Sequence, residues 1–221
     1  MAQAPRSSSL SGGSDDPLEN LTMWLQANSK PLLIGVAGAA VIAAGIFGYR
    51  YLSASKVAEA SNALYQAQVP LLQGNLPEAQ AALQKVSTRY SGTRSGDQAS
   101  LLLAQALYDL KQHQGAITML EKGRGSAAAD TRPSFDAMIA AGYEGLGNME
   151  KAAEYYGKAA DGVTAPTEKQ QHKTAQARSL MLAGKLDEAK KIFLELSEDS
   201  NSQYAQEARV RLGEIAGAAI K

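Results

Sequence analysis

The stretch Ala140–Tyr156 reads AAGYEGLGNMEKAAEYY and holds every part of a pattern that recurs along the chain. A helical segment leads up to Gly147, and glycine readily adopts the left-handed conformation that ends many helices. A second helical segment follows at once. Ala140 and Ala152 flank this turn, twelve residues apart, and such small residues let two helices cross closely. The stretch therefore predicts a helix–turn–helix hairpin.

The same pattern recurs four times after residue 55. An Ala in each second helix recurs at spacings of 37, 36 and 37 residues, at Ala79, Ala116, Ala152 and Ala189. A second Ala precedes each of these by twelve residues, at Ala67, Ala104, Ala140 and Ala177. A large apolar or aromatic residue follows each by four, at Leu83, Leu120, Tyr156 and Phe193. The recurrence predicts an α-solenoid over residues 55–221, with repeats at about 55–90, 95–124, 132–162 and 167–198 and a capping helix at 202–221.

The turn residue lies five positions before each second-helix Ala and is glycine in three repeats, at Gly74, Gly147 and Gly184. The second repeat has Lys111 instead, so we expect an irregular turn there. The period and the small residues resemble the tetratricopeptide repeat, whose period is 34 residues. The turn sequences Gly74-Asn75-Leu76-Pro77-Glu78-Ala79 and Gly184-Lys185-Leu186-Asp187-Glu188-Ala189 carry this resemblance most clearly.

An uncharged apolar stretch precedes the repeats. Pro31–Tyr49 contains 19 residues without a charge, which as a helix would extend about 28 Å, close to the thickness of a bilayer core. Lys30 and Arg50 flank it, and Trp24 lies near one end. We expect a single transmembrane helix at 31–51 in contact with membrane lipid. Small residues at four-residue steps predict a helix-packing face, formed by Gly35, Ala39 and Ala43 and by Ala40, Ala44 and Gly48.

Two other interpretations of this stretch stay open, a buried core helix and a cleaved signal peptide with a cleavage site near Ser53-Ala54-Ser55. Residues 7–16 are rich in Ser, Gly and Asp, which predicts a disordered tail over residues 1–16. Residues 17–30 predict an amphipathic lead-in helix, either lying at the interface or forming the start of the same long helix. The charges on the two sides are nearly balanced, so the positive-inside rule does not decide the orientation.

Composition excludes several functional classes. Lys and Arg number 22 and Asp and Glu number 22, which argues against electrostatic binding of nucleic acid. The chain has no cysteine and two histidines, His113 and His172, which we expect to be solvated. Gly142–Gly147 superficially resembles a nucleotide-binding loop, but no strand precedes it. We expect no catalytic residue, no metal and no cofactor, and interpret the protein as a non-enzyme.

A stack of helical hairpins offers a groove lined by the first helix of each pair, suited to a segment of another protein. The repeat register directs six residues toward this groove, namely Gln98, Gln105, Tyr108, Asp109, Gln171 and Arg178. They predict a polar, weakly charged binding surface.

The order of parts resembles the family of ancillary subunits of the bacterial Sec translocon. The resemblance is strongest at Gly48-Tyr49-Arg50-Tyr51, at Ala58-Glu59-Ala60-Ser61 and at Leu64-Tyr65-Gln66-Ala67. It implies a bacterial inner-membrane protein that spans once, with a cytoplasmic N-terminus and a periplasmic repeat domain. The implied partners are the translocon channel, a membrane-anchored periplasmic chaperone and translocating polypeptides, on which the protein would act as a chaperone-like adaptor.

Two short segments favour an alternative. Tyr90-Ser91-Gly92-Thr93 and Ser202-Gln203-Tyr204-Ala205 resemble openings in periplasmic repeat proteins that coordinate cell division or outer-membrane assembly. The alternative function is an anchored scaffold for such envelope machinery.

Overall fold

The computed structural model describes residues 17–199 and 202–218, and every regular element in this part of the chain is an α-helix. The predicted all-α class is therefore confirmed, whereas the predicted tail at 1–16 and the end of the predicted capping helix lie outside the described residues. The helices of the N-terminal half are α1 (Pro17–Ala27), α2 (Ser29–Leu72), α3 (Leu76–Arg89), α4 (Arg94–Asp109) and α5 (His113–Arg124). Those of the C-terminal half are α6 (Arg132–Gly145), α7 (Met149–Gly162), α8 (Pro166–Leu182), α9 (Leu186–Glu198) and α10 (Ala205–Ala218).

The chain divides into two units, residues 1–54 and residues 55–221. In the first unit, one stretch in the described part of the chain, Ser29–Gly48, is long and apolar enough to cross a membrane, with a mean hydropathy of 2.1. The helix that precedes this stretch is separated from it by a break. Asn28 separates α1 from α2, and both its backbone and its side-chain nitrogen donate to the carbonyl of Trp24, at 3.0 and 2.8 Å. Such side-chain bonds to the local backbone compete with helix continuation.

The second unit is a stack of antiparallel hairpins. Each helix from α3 to α10 contacts the next one along the chain, and α4 also contacts α6, the first helix of the following hairpin. A solenoid is a stack in which each hairpin contacts only the hairpins next to it. α10 lies against α9 and covers the C-terminal hairpin through Ala208 and Ile215.

The recurring alanines are buried, as close helix packing requires. Ala67 is 3% exposed, and the other seven are 0% exposed. The large residue one turn later is fully buried in three repeats, at Leu83, Leu120 and Phe193. Tyr156 is only half-buried, because its hydroxyl reaches out to donate to Glu144 Oε2 at 3.0 Å.

The four hairpin turns share one geometry. The turn residue has a positive φ in every repeat, at Gly74 (75°), Lys111 (62°), Gly147 (75°) and Gly184 (79°). In the second turn, Lys111 N donates to Tyr108 O at 2.9 Å and Gln112 N donates to Leu107 O at 2.8 Å. The same pair of bonds closes the other three turns, and it is the Schellman motif. The expectation of an irregular second turn was wrong, since the backbone bonds hold Lys111 in a conformation that it disfavours by itself.

Replacing Lys111 with Gly is therefore expected to stabilise the repeat domain by about 1 kcal/mol, because a non-glycine residue in the left-handed region is strained by about that amount. Chemical denaturation of Lys111→Gly measures the change. Lys185→Gly is a matched control, because Lys185 follows the positive-φ residue of its turn and has a φ of −85°. A gain in the control as large as that in Lys111→Gly would contradict the explanation.

Candidate protein-binding surface

The candidate site consists of exposed residues of the first helices α4, α6 and α8, the helices that the repeat register predicts to line the groove. We call it the first-helix groove and define it by six exposed residues, Gln98, Gln105, Asp109, Ser134, Gln171 and Arg178. The α4 part presents two carboxamides and one carboxylate, and Gln105 Nε2 donates to Asp109 Oδ1 at 3.2 Å. These groups can donate to and accept from a passing peptide backbone.

Between α6 and α8 the groove deepens into a cavity of about 350 Å³. Met138 and Ala175 contribute apolar surface, while Gln171 and Arg178 contribute polar groups. The cavity therefore brings together Gln171 and Arg178, the two predicted site residues of α8. It also includes Ser134 and Met138 of α6, which the sequence did not identify as site residues. An apolar floor with a few polar groups is typical of sites that bind a peptide or small ligand.

Beside this cavity, a hydrogen-bonded cluster holds the walls in place. Glu144 of α6 accepts from Tyr156 Oη at 3.0 Å and from Ser179 Oγ at 3.1 Å. Burial and the neighbouring Glu144 charge raise the pKa of Tyr156, so this hydroxyl remains a donor at neutral pH. Arg178 Nη1 lies 3.7 Å from Glu207 Oε1 of α10. The hydrogen bonds of Glu144 join α6 to α7 and α8, and the Arg178–Glu207 ion pair joins α8 to α10. A ligand would therefore meet a preformed surface.

Tyr108 differs from its prediction. It is only 9% exposed, and its hydroxyl donates to the Met138 carbonyl at 2.7 Å, so it joins α4 to α6 rather than facing a ligand. The register alone could not reveal this, because the partner carbonyl belongs to another hairpin. Two nearby glycines leave room for side chains of the preceding hairpin. A Cβ at Gly142 would lie 2.5 Å from the Tyr108 hydroxyl, and one at Gly145 would lie 2.4 Å from the His113 ring.

The two histidines are not solvated as expected. His113 is half-buried and stacks on Tyr108 with ring centroids 5.4 Å apart. His172 is 9% exposed and lines the cavity, and burial lowers its pKa although Glu168, with Oε1 at 3.9 Å, opposes the shift. In residues 17–199 and 202–218, no three His, Asp or Glu side chains cluster closely enough to hold a metal ion.

The buried His172 predicts a pH dependence of stability. Because its pKa is lower in the folded protein, the unfolded chain binds more protons as the pH falls through about 6.5, and the fold loses stability there. Above that pH the contribution is fully present. We expect the melting temperature of His172→Gln to fall less between pH 7.5 and pH 5 than that of the unmodified protein. Equal decreases in both proteins would contradict this role for His172.

The comparisons with known proteins agree with this architecture. No curated protein matches the chain significantly by sequence. Two solved structures of nearly identical TPR-like repeats from Podosopora anserina, assigned to a kinesin light chain, align with a TM-score of 0.58 and 18% identity. They cover 72% of this chain and 86% and 85% of their own. That likeness shows the fold alone. A family model described as a tetratricopeptide repeat-like domain matches residues 22–141, which is more than half of the sequence. The chain therefore belongs to the tetratricopeptide repeat-like domain family.

Proposed function

We propose that this protein is a membrane-anchored, non-catalytic adaptor that holds segments of other proteins in the first-helix groove. Domains of this family generally mediate protein–protein interactions, and the repeat domain is accordingly a protein-interaction module. The observation that carries the proposal is the extent of the family match. Residues 22–141 include the whole apolar stretch Ser29–Gly48 and the first repeats, so the apolar stretch and the repeats lie within one family match.

The exposure of the apolar stretch supports the anchor. None of this stretch is buried within the described chain, and Ile34, Val41 and Phe47 are 74%, 72% and 73% exposed. A core helix would bury such residues. Large contiguous apolar surfaces on a protein call for a partner or a membrane to cover them, and a helix of this length matches the hydrocarbon thickness. A bilayer is the covering that fits an exposed apolar helix of this length.

The chemistry of the first-helix groove supports a ligand that is polypeptide and bound with low sequence specificity. Gln98, Gln105 and Gln171 each offer a donor and an acceptor, matching the N–H and C=O groups of an extended backbone. Arg178 is engaged near Glu207, so little unbalanced charge remains to select charged sequences. Such a groove favours transient contact with many chains.

The finer placement rests on resemblance. The aromatic-Arg-aromatic sequence at Tyr49-Arg50-Tyr51 and the first repeat resemble the ancillary subunits of the Sec translocon. We accordingly propose a single span in the bacterial inner membrane, a cytoplasmic N-terminus and a periplasmic repeat domain. The partners would be the translocon channel, a membrane-anchored periplasmic chaperone and polypeptides emerging from the channel.

A second candidate is a scaffold for cell-division or outer-membrane-assembly machinery. One of the two segments that favour it, Ser202-Gln203-Tyr204-Ala205, forms the turn leading into α10. There, Tyr204 N donates to Ser202 Oγ at 3.1 Å and Ser202 Oγ donates to Gln170 Oε1 at 2.7 Å. This turn fastens α10 to α8, and that structural role accounts for the segment without a division or assembly partner.

Crosslinking in native membranes distinguishes the two candidates. Photoreactive groups placed in the apolar stretch, at Ala39 and Ala43, are expected to capture the channel subunits of the translocon. Recovery of division or outer-membrane-assembly components without the translocon would overturn the favoured proposal. A reporter fused after Lys221 tests the orientation separately, since activity in the cytoplasm alone would exclude a periplasmic repeat domain. The mass of the mature protein settles whether the N-terminal stretch is cleaved.

A further inference from the structure

A second groove lies on the other side of the repeat domain, between the second helices of the first two hairpins. We call it the outer groove. Its walls are α3 and α5, Ser100 of α4 lies at its floor, and its volume is about 650 Å³, against about 350 Å³ for the first-helix cavity. Ser100 is two residues from Gln98, about 200° around α4. The two grooves therefore use opposite faces of the same helix.

The next repeat fills the corresponding space with its own side chains. Tyr155 corresponds to Met119, 36 residues earlier, and its hydroxyl donates to Glu121 Oε1 across the gap at 3.0 Å. Asp136 corresponds to Ser100, and Arg124 binds it through two hydrogen bonds of 2.5 and 2.8 Å. A cavity of about 270 Å³ remains. The same fold thus narrows this space in one repeat and leaves it more than twice as large in the repeat before.

Gly115 in the wall of the outer groove has no packing reason within the described chain. A Cβ there would meet no atom within 4 Å, whereas one at Gly123 would meet the Phe135 ring at 3.1 Å. Glycine in a helix is less favourable than alanine by about 0.5–1 kcal/mol. The glycine exposes bare helix backbone to the groove, as a close approach of a second chain requires.

The hydrogen-bonding groups of the groove indicate what could bind. The hydroxyls of Ser87, Ser100 and Thr118 each donate to a carbonyl of their own helix at 3.0 Å, so their oxygens remain as acceptors. The Gln114 carboxamide and the Lys122 ammonium, which also line the groove, supply donors. A bound helix would leave these groups unpaired, because its backbone is satisfied internally. An extended chain offers N–H and C=O groups at every residue.

We propose that the outer groove binds an extended, uncharged polypeptide segment of about five residues. The helical part of the wall, from Gly115 to Arg124, is about 14 Å long, which an extended chain covers with about four to five residues. The Ser91 and Ser126 hydroxyls, 2.9 Å apart, close one end. Lys122 is the single charged residue of the lining, which disfavours a highly charged ligand. This site is independent of the first-helix groove and of the membrane anchor.

Single-cysteine crosslinking of the full chain in detergent micelles locates the site, and the natural sequence contains no cysteine to interfere. Thr118→Cys carries a benzophenone in the outer groove, and Glu154→Cys carries it at the corresponding position of the next repeat. The probe is a biotinylated peptide, Gln-Ser-Val-Thr-Ala-Ser-Val-Gln, with blocked termini. We expect about tenfold more crosslinking at position 118 than at position 154. Equal yields, or no crosslinking at 118, would overturn the proposal.

Filling the groove provides the second test. The double change Gly115→Lys and Met119→Tyr installs the residues found at Lys151 and Tyr155 of the next repeat, and it is expected to reduce peptide crosslinking about tenfold. Gly115→Ala alone strengthens α5 but covers the exposed backbone, so it should still reduce peptide crosslinking. Gln171→Ala in the first-helix groove should leave it unchanged. Undiminished crosslinking in a folded double variant, or equal competition by the same peptide stapled as a helix, would contradict an extended-chain site.

Discussion

Replacing Phe193 with Ala is expected to destabilise the repeat domain by about 3–5 kcal/mol, as do other truncations of buried aromatic residues. Phe193 is 0% exposed and belongs to a core formed by α7, α8, α9 and α10, with Ala177, Leu180 and Ile215 among its members. Four of the other seven buried members of this core are alanines, whose short side chains cannot fill the space. The free energy of unfolding from chemical denaturation measures the loss.

The position of the damage is as informative as its size. In a solenoid each repeat depends on its neighbours alone, so Phe193→Ala should reduce hydrogen-exchange protection mainly in α8, α9 and α10. Phe135→Ala is the matched control, because Phe135 is 1% exposed and belongs to the other core, with Ile117 and Leu120. It should reduce protection mainly in α4 to α6. Equal loss along the whole domain in both variants would contradict stacking through neighbours.

Replacing Arg124 with Met is expected to destabilise the domain by about 3 kcal/mol, because it leaves the Asp136 carboxylate buried without its cation. The Asp136 side chain is 2% exposed and that of Arg124 is 39% exposed. Arg124 Nε and Nη2 donate to the two carboxylate oxygens. The pair joins α5 to α6, and side-chain hydrogen bonding to Asp136 raises the pKa of Arg124.

The double variant Arg124→Met with Asp136→Leu should recover most of this loss, since an apolar pair can replace a buried ion pair at little cost. Chemical denaturation of the two single variants and the double variant gives the coupling energy. Lys158→Met serves as the control, because the Lys158–Glu154 pair is exposed and should contribute at most about 0.5 kcal/mol. A double variant no more stable than Arg124→Met would show that the buried carboxylate is not the source of the loss.

The repeated part of the fold could be predicted because its periodic residues act locally. A small Ala between two helices and a Gly at a turn each determine the structure within one hairpin, and the eight alanines are buried. Lys111 was misinterpreted because backbone hydrogen bonds, which leave no sequence signature, impose the turn on it. The break at Asn28 depends on its side chain capturing the Trp24 carbonyl, a competition with the helix that composition does not resolve.

The binding surfaces were predictable only in part, because they depend on contacts between hairpins. The repeat register placed Gln98, Gln105 and Gln171 on exposed helix faces, but it could not reveal that Tyr108 bonds to α6. The outer groove could not be predicted from the repeat pattern. A groove stays open where the side chains of neighbouring helices do not fill the space between them. Gly115 is small and Met119 is flexible, whereas the next repeat has Lys151 and Tyr155 at the same positions. A position-by-position comparison of the repeats would have indicated the groove.

The most direct measurement of the proposed function is site-specific crosslinking to a polypeptide arrested during export through the translocon in inner-membrane vesicles. A benzophenone at Gln171→Cys would lie in the first-helix groove, and one at Lys190→Cys would lie on the exposed surface of α9. An adaptor that holds emerging chains should crosslink to the arrested polypeptide from position 171 and not from position 190, with the channel in the same complex. Equal labelling from both positions, or none from 171, would contradict it.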